Sequence, residues 1–325
     1  MKAVRTAKGA PEKTGRLIAR LFAIAVPVTI GASITPLVGL LDSPIVYRRM
    51  GALGYATEQI RTLFGLFTGT VNTLANMPSV LTVALGVALV PAVSAAVAAG
   101  DRRAVSRTAC TGLKLALILG FPCMAGLFLL APSVISLLYK NLTDAQIDTA
   151  AVMLRIMSVA SLFLFLVQTS TATLQGLDSV RIPVRNLAVG AVCKVLVNYV
   201  LIGIPSVNIY GAPVGTLCCY LVAASLDVWA VRRRVRFRLS LMNTIVKPLL
   251  CTALMAGAVL LLTRTLGAVS SARTLLAVGV GGIVYCVTLL LSGALSEREL
   301  LLLPGGSKLV RLLYALDLME GGSRK

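Results

Sequence analysis

The sequence predicts an all-α protein, a polytopic membrane bundle of about eight transmembrane helices, and three observations carry that prediction. Of 325 residues, 57% are apolar and 13% charged, and the mean hydropathy is +0.90, whereas a soluble domain has about 25% charged residues. The apolar residues gather in runs of the roughly 20 positions that one crossing of the bilayer core requires. The 31 Lys and Arg, which give a net charge of +19, fall in short clusters between those runs. Nucleic-acid binding needs basic residues gathered on one soluble face, so no nucleic acid is expected as a partner, and the spacing fits loops at a membrane surface.

Taken in order, the chain opens on a basic stretch with six Lys and Arg in its first twenty residues. The apolar segment that follows exceeds the core of a signal peptide, about 7 to 15 residues, and reads as a first spanning helix rather than a cleaved leader. Eight spans are expected at about Leu17–Leu41, Ile60–Ala98, Val105–Ala131, Ala145–Gly176, Pro183–Ile204, Gly211–Val231, Asn243–Leu266 and Arg273–Leu295. One alternate set of loops and termini carries 21 Lys and Arg, the opposite set six. Because cytoplasmic loops carry the excess, both termini are expected in the cytoplasm. The stretch "YRRMGALGYATEQIR" goes against the pattern, with Arg48, Arg49 and Arg61 on the outer side.

The cluster "GDRRAVSR" reads as a tight cytoplasmic turn in which Gly100 closes the second span with positive φ and the arginines meet anionic lipid headgroups. Prolines recur within the runs, at Pro27, Pro36, Pro78, Pro91, Pro122 and Pro213. Each frees a carbonyl that a neighbouring helix or internal water must satisfy. Kinks at Pro27, Pro78, Pro91 and Pro122 suit helices that flex around a cavity. The plainer reading is that proline is simply frequent in spanning helices.

Polar residues mark where that cavity would lie. Lys194 stands near mid-span with Asn198 one turn later on the same face. A charge at the bilayer centre costs at least about 2.5 kcal/mol, so it normally faces an internal path, and a cation there suits an anionic substrate such as a lipid-linked diphosphate. Lys114 is nearer the cytoplasmic side, within snorkelling reach. Asn72, Thr73 and Asn76 precede the Pro78 kink, and Gln168, Thr169, Thr171 and Gln175 share the fourth span. These either line a groove or tie helices together. Asp42 reads as a helix-end residue, solvated or functional, and Asp227 as a second acid near a helix end.

No catalytic residues, metal site or cofactor are expected. The chain has no histidine, no phosphate-binding glycine loop and no paired carboxylates, which also excludes a self-contained ATP-driven pump. The seven cysteines lie inside apolar runs without ligand spacing and read as small packing residues.

Several ordered stretches resemble a known family. "LFAIAVPVTIGASITPLVGLLDSPIVYRRM" is similar to the helix that opens the second half of polysaccharide and lipid-linked-oligosaccharide flippases, especially the stage V sporulation protein B group. "NMPSVLTVALGVALVPAVSAAVAAGDRRAVSR" resembles the next helix and turn of that group and of the lipid II flippases. "LQGLDSVRIPVRNLAVGAVCKVLVNYVLIGIPSVNIYGAPVGTLCCYLV" and "LSERELLLLPGGSKLVRLL" continue the resemblance to the end of the chain.

The resemblance implies the multidrug/oligosaccharidyl-lipid/polysaccharide exporter superfamily, whose two six-helix lobes rock between inward- and outward-open states. Residues 1–16 would then be a cytoplasmic basic linker, 17–232 one six-helix lobe, 233–296 two additional spans, and 297–325 a cytoplasmic amphipathic tail. The other lobe would come from another polypeptide or from a homodimer. In lipid II flippases an arginine precedes the kink of the second span, and Thr73 stands there in this chain, which points to the sporulation-type relative.

The function so implied is a flippase or exporter of a lipid-linked saccharide for cell-wall, spore-cortex or capsule synthesis, in the bacterial cell membrane. The substrate and membrane lipids would be its partners. An ion-coupled multidrug antiporter of the same superfamily, and a non-transporting scaffold or inactive fragment, are the alternatives.

Overall fold

The computed structural model describes residues 29, 36, 39–235, 240–265 and 271–293. The kink at Pro27, the basic N-terminus and the amphipathic tail lie outside the described residues, as does most of the first span. Among the described residues seven helices are long and apolar enough to cross a membrane, and no strand occurs.

Among the described residues nine helices follow one another. Helix α1 covers 39–52, α2 Thr57–Ala98, α3 Arg102–Leu129, α4 Ala131–Leu138, α5 Asp144–Gly176, α6 Arg181–Leu201, α7 Gly211–Val235, α8 Met242–Thr265 and α9 Ser271–Leu291. The first span was expected to end at Leu41, yet α1 continues through Ser43-Pro44 to residue 52. The third span stops at Leu129, and Ala131 and Pro132 start the separate short helix α4, with Pro132 in a first turn, where its missing N–H breaks no helical bond.

The local devices are readable. Asp101 caps α3 by accepting from the Arg103 and Ala104 amides at 2.9 Å each. Thr143 and Gln146 form a capping box at the start of α5. Gly100 adopts φ +68° between α2 and α3, the left-handed turn expected of it. Pro213 is a correction: it lies in the first turn of α7, where its missing N–H breaks no helical bond.

Helix α5 is the axis of the bundle and packs against α2, α3, α4 and α7, while α6 pairs with α7 and α8 with α9. At one end, Val46, Met50, Phe67, Ile135, Met153, Ile202 and Ile209 belong to the largest buried cluster among the described residues, drawn from α1, α2, α4, α5, the start of α7 and the segment between α6 and α7. Arg49, which counted against the charge pattern, stacks on Tyr199 at 4.6 Å, so it is helix-borne and partly buried rather than a loop charge. The cysteines are all free.

Candidate functional site

Asp42 on α1 and Lys194 on α6 form an ion pair, with Lys194 Nζ donating to Asp42 Oδ2 at 2.6 Å. Asn198 Nδ2 donates to the other carboxylate oxygen at 2.9 Å. The three groups are brought together across more than 150 residues of sequence by the packing of α1 on α6. Asp42 is 4% exposed and Asn198 fully buried. An isolated charge at such depth is costly, whereas a hydrogen-bonded pair satisfies both ions. Asp42 is therefore neither solvated nor a helix end, and Lys194 carries its own counter-ion.

Glycines allow this approach. Any side chain at position 215 would collide with Asn198 Oδ1, and a Cβ at position 190 would lie 2.6 Å from the Cys219 carbonyl oxygen. Small residues thus let α6 and α7 meet backbone to backbone. A second polar link joins the same helices: Asn186 Nδ2 donates to Asp227 Oδ1 at 2.7 Å, and Asp227 is fully buried. Asp227 belongs to the inside of the bundle rather than to a solvated helix end.

A groove of about 580 Å³ runs between α2 and α5, with Leu187 of α6 and Tyr220 of α7 completing its lining. Its polar lining is Asn76, Ser79, Thr82, Gln168, Thr171 and Gln175, and valines 83, 87, 90 and 167 are among its apolar lining. Thr82 and Gln168 hydrogen-bond across it. Tyr220 also packs on the cluster that contains Val46 and Met50 of α1, which links the groove to the helix that bears Asp42.

The backbone of α2 is irregular beside this groove. It passes through a π turn at Leu66–Val71 and a 3-10 turn at Met77–Ser79 that holds Pro78, and Pro91 stands inside its last, continuous section. Such breaks occur where helices bend and often mark functional sites. Pro122 stands inside α3.

The structure divides the predicted site residues into groups. Asn76 and Gln168 line the groove. Lys194 and Asn198 join Asp42 at the ion pair. Asn72 accepts from Asn76 at 2.8 Å along α2, and the Thr73 hydroxyl donates to the Gly69 carbonyl at 2.7 Å within its own helix. Lys114 is partly buried on α3 and lines neither feature. Sequence reading did not assign Asp42, Thr82 or Tyr220 to a site. The signal for Asp42 was there, since an intramembrane acid and an intramembrane lysine in one chain invite pairing.

The family model for the lipid II flippase MurJ matches residues 71–277, more than half of the chain. The uncharacterized membrane protein YabM of Bacillus subtilis (strain 168) is 27% identical over 310 residues, covering 92% of this chain and 56% of that protein. Stage V sporulation protein B of the same organism is 27% identical over 193 residues, or 59% of this chain and 36% of that one. Among solved structures, the inward closed conformation of the lipid II flippase MurJ superposes with a TM-score of 0.61 at 15% identity, over 85% of this chain and 54% of that chain. This chain spans about half the length of YabM and of that flippase. It is a multi-pass membrane protein, and it belongs to the family of the lipid II flippase MurJ.

Proposed function

We propose that this chain forms one lobe of a flippase that moves a lipid-linked saccharide precursor across the bacterial cell membrane by alternating access. The observation that carries the reading is the groove between α2 and α5, which is lined by amides and hydroxyls together with valines. A lipid-linked saccharide has the same mixed character, a polar headgroup joined to an apolar chain. Residues 17–232 form the lobe, 233–296 two further spans, and the segments 1–16 and 297–325 lie with both termini in the cytoplasm. The wall opposite the groove comes from a second lobe, on this or another polypeptide or from a second copy.

In this mechanism α2 is the moving element, because its π turn, its 3-10 turn and Pro91 let it bend without breaking a regular helix. The Asp42–Lys194 pair joins α1 to α6 and keeps the lobe rigid while α2 bends.

The test is flipping of a fluorescent lipid-linked diphosphosaccharide in vesicles that contain the chain and its second lobe. Thr171→Trp fills the groove and is expected to lower the rate at least tenfold while the protein remains folded. A wild-type rate in that variant would remove the groove from the transport path.

A further inference from the structure

A second pocket, about 1150 Å³, opens where α2, α5 and α7 end and α3 begins. It shares no lining residue with the groove. Arg102, Arg103 and Arg107 from the first turns of α3 meet Arg234 from the last turn of α7, and Val97 and Leu177 contribute to an apolar wall. No acidic residue lines it.

All four arginines are exposed, and an anion among them would relieve what repulsion water and salt leave unscreened. Among the described residues none of the four has a carboxylate partner, since the ion pairs are Arg61 with Glu58 and Lys194 with Asp42. Asp101, next to the pocket in sequence, spends an oxygen on the Arg103 and Ala104 amides. Arg233 lies instead over the Trp229 ring at 4.0 Å. Guanidinium binds phosphate oxygens in a bidentate fork that a compact ammonium cannot make. Basic pockets between membrane helices take anionic lipid headgroups.

We propose that this pocket binds a phosphate-bearing anion, with the arginines on the phosphate and the apolar wall against the carbon framework attached to it. The site is independent of the transport groove and of the flippase reading. Phosphate of this kind is presented by an anionic phospholipid headgroup or by a soluble phosphate, and the two sources separate in one experiment.

The full chain is purified in detergent, and retention of phosphatidylglycerol against phosphatidylcholine of the same acyl chains is read by native mass spectrometry. Thermal unfolding is followed in parallel with and without inorganic pyrophosphate. The pocket variant is R103Q/R107Q/R234Q, and the control R155Q/R181Q/R185Q removes three exposed arginines outside the pocket. About a tenfold preference for phosphatidylglycerol is expected in wild type and control, falling to none in the pocket variant, which identifies a lipid headgroup. Pyrophosphate raising the melting temperature of wild type and control but not of the pocket variant, with no lipid preference, upholds the site with a soluble source. A lipid preference unchanged in the pocket variant, one lost equally in the control, or no response to either probe overturns the proposal.

Discussion

Helices α2 and α5 are equally apolar, yet 56% of the most apolar stretch of α5 is buried against 22% of that of α2. Lipid is as apolar as leucine, so hydrophobicity does not decide which helix takes the centre. Packing and interhelical contacts do. Helix α5 presents Ala150, Ala160, Ser158, Ser161, Thr169, Ser170 and Thr173 inward. The Thr169 and Thr173 hydroxyls bond back to their own helix at 2.9 Å, so neighbours approach closely without leaving them unsatisfied. Helix α2 turns Val80, Val83 and Val87 outward and is interrupted where α5 is continuous. The rigid axis and the deformable wall of one groove thus differ in small residues and backbone regularity, not in apolar content.

The comparison can be broken at several strengths. The largest effect is expected at the pair that stabilises the rigid side: Lys194→Ala strands the Asp42 carboxylate and lowers stability by about 3–5 kcal/mol in a denaturing-detergent titration. The double replacement Asp42→Leu/Lys194→Met removes both charges and should recover most of that loss. If it does not, the pair does more than neutralise itself. Next comes Gly176→Leu, which forces α2 away from α5, because a Cβ there already meets Val93 Cβ at 2.7 Å and the Val90 carbonyl oxygen at 3.0 Å. A loss of about 1–3 kcal/mol is expected, with greater hydrogen exchange confined to α2.

Smaller effects sharpen the contrast. The buried Ser170 hydroxyl has no hydrogen-bond partner, so Ser170→Ala on the axis should be neutral or stabilising by up to about 1 kcal/mol in the same titration. Val87 is 72% exposed, and Val87→Ala should change the stability of the chain by less than about 0.5 kcal/mol. A larger loss at Val87 would mean that the groove it lines is closed over by protein rather than open.

Much of the architecture was legible. Apolar runs of spanning length, separated by basic clusters, correspond to helices, and apart from the first, which runs on to residue 52, the ends of the last spans differ from expectation by a few residues: Gly211–Val231 became Gly211–Val235, and Arg273–Leu295 became Ser271–Leu291. Gly100 and the arginines after it were readable as a turn because a left-handed glycine and a charge run are local signals. The short α4 was hidden inside an apolar run, since nothing but Pro132 distinguishes it. The site was legible in part. Lys194 and Asn198 stand one turn apart and could be placed on one face, but Asp42, 152 residues from Lys194, carries no local sign of its partner.

By itself, the sequence determined a membrane bundle, the approximate extents of its spans, and which polar residues would be costly to bury, because length, composition and charge clustering act through the bilayer without reference to other helices. Only the tertiary structure decided that α5 is the axis and α2 the wall, that Asp42 neutralises Lys194, and that four arginines from two distant helices share one pocket. Those outcomes depend on which surfaces meet, and in a uniformly apolar solvent that choice is made by small residues and polar pairing between helices far apart in the chain.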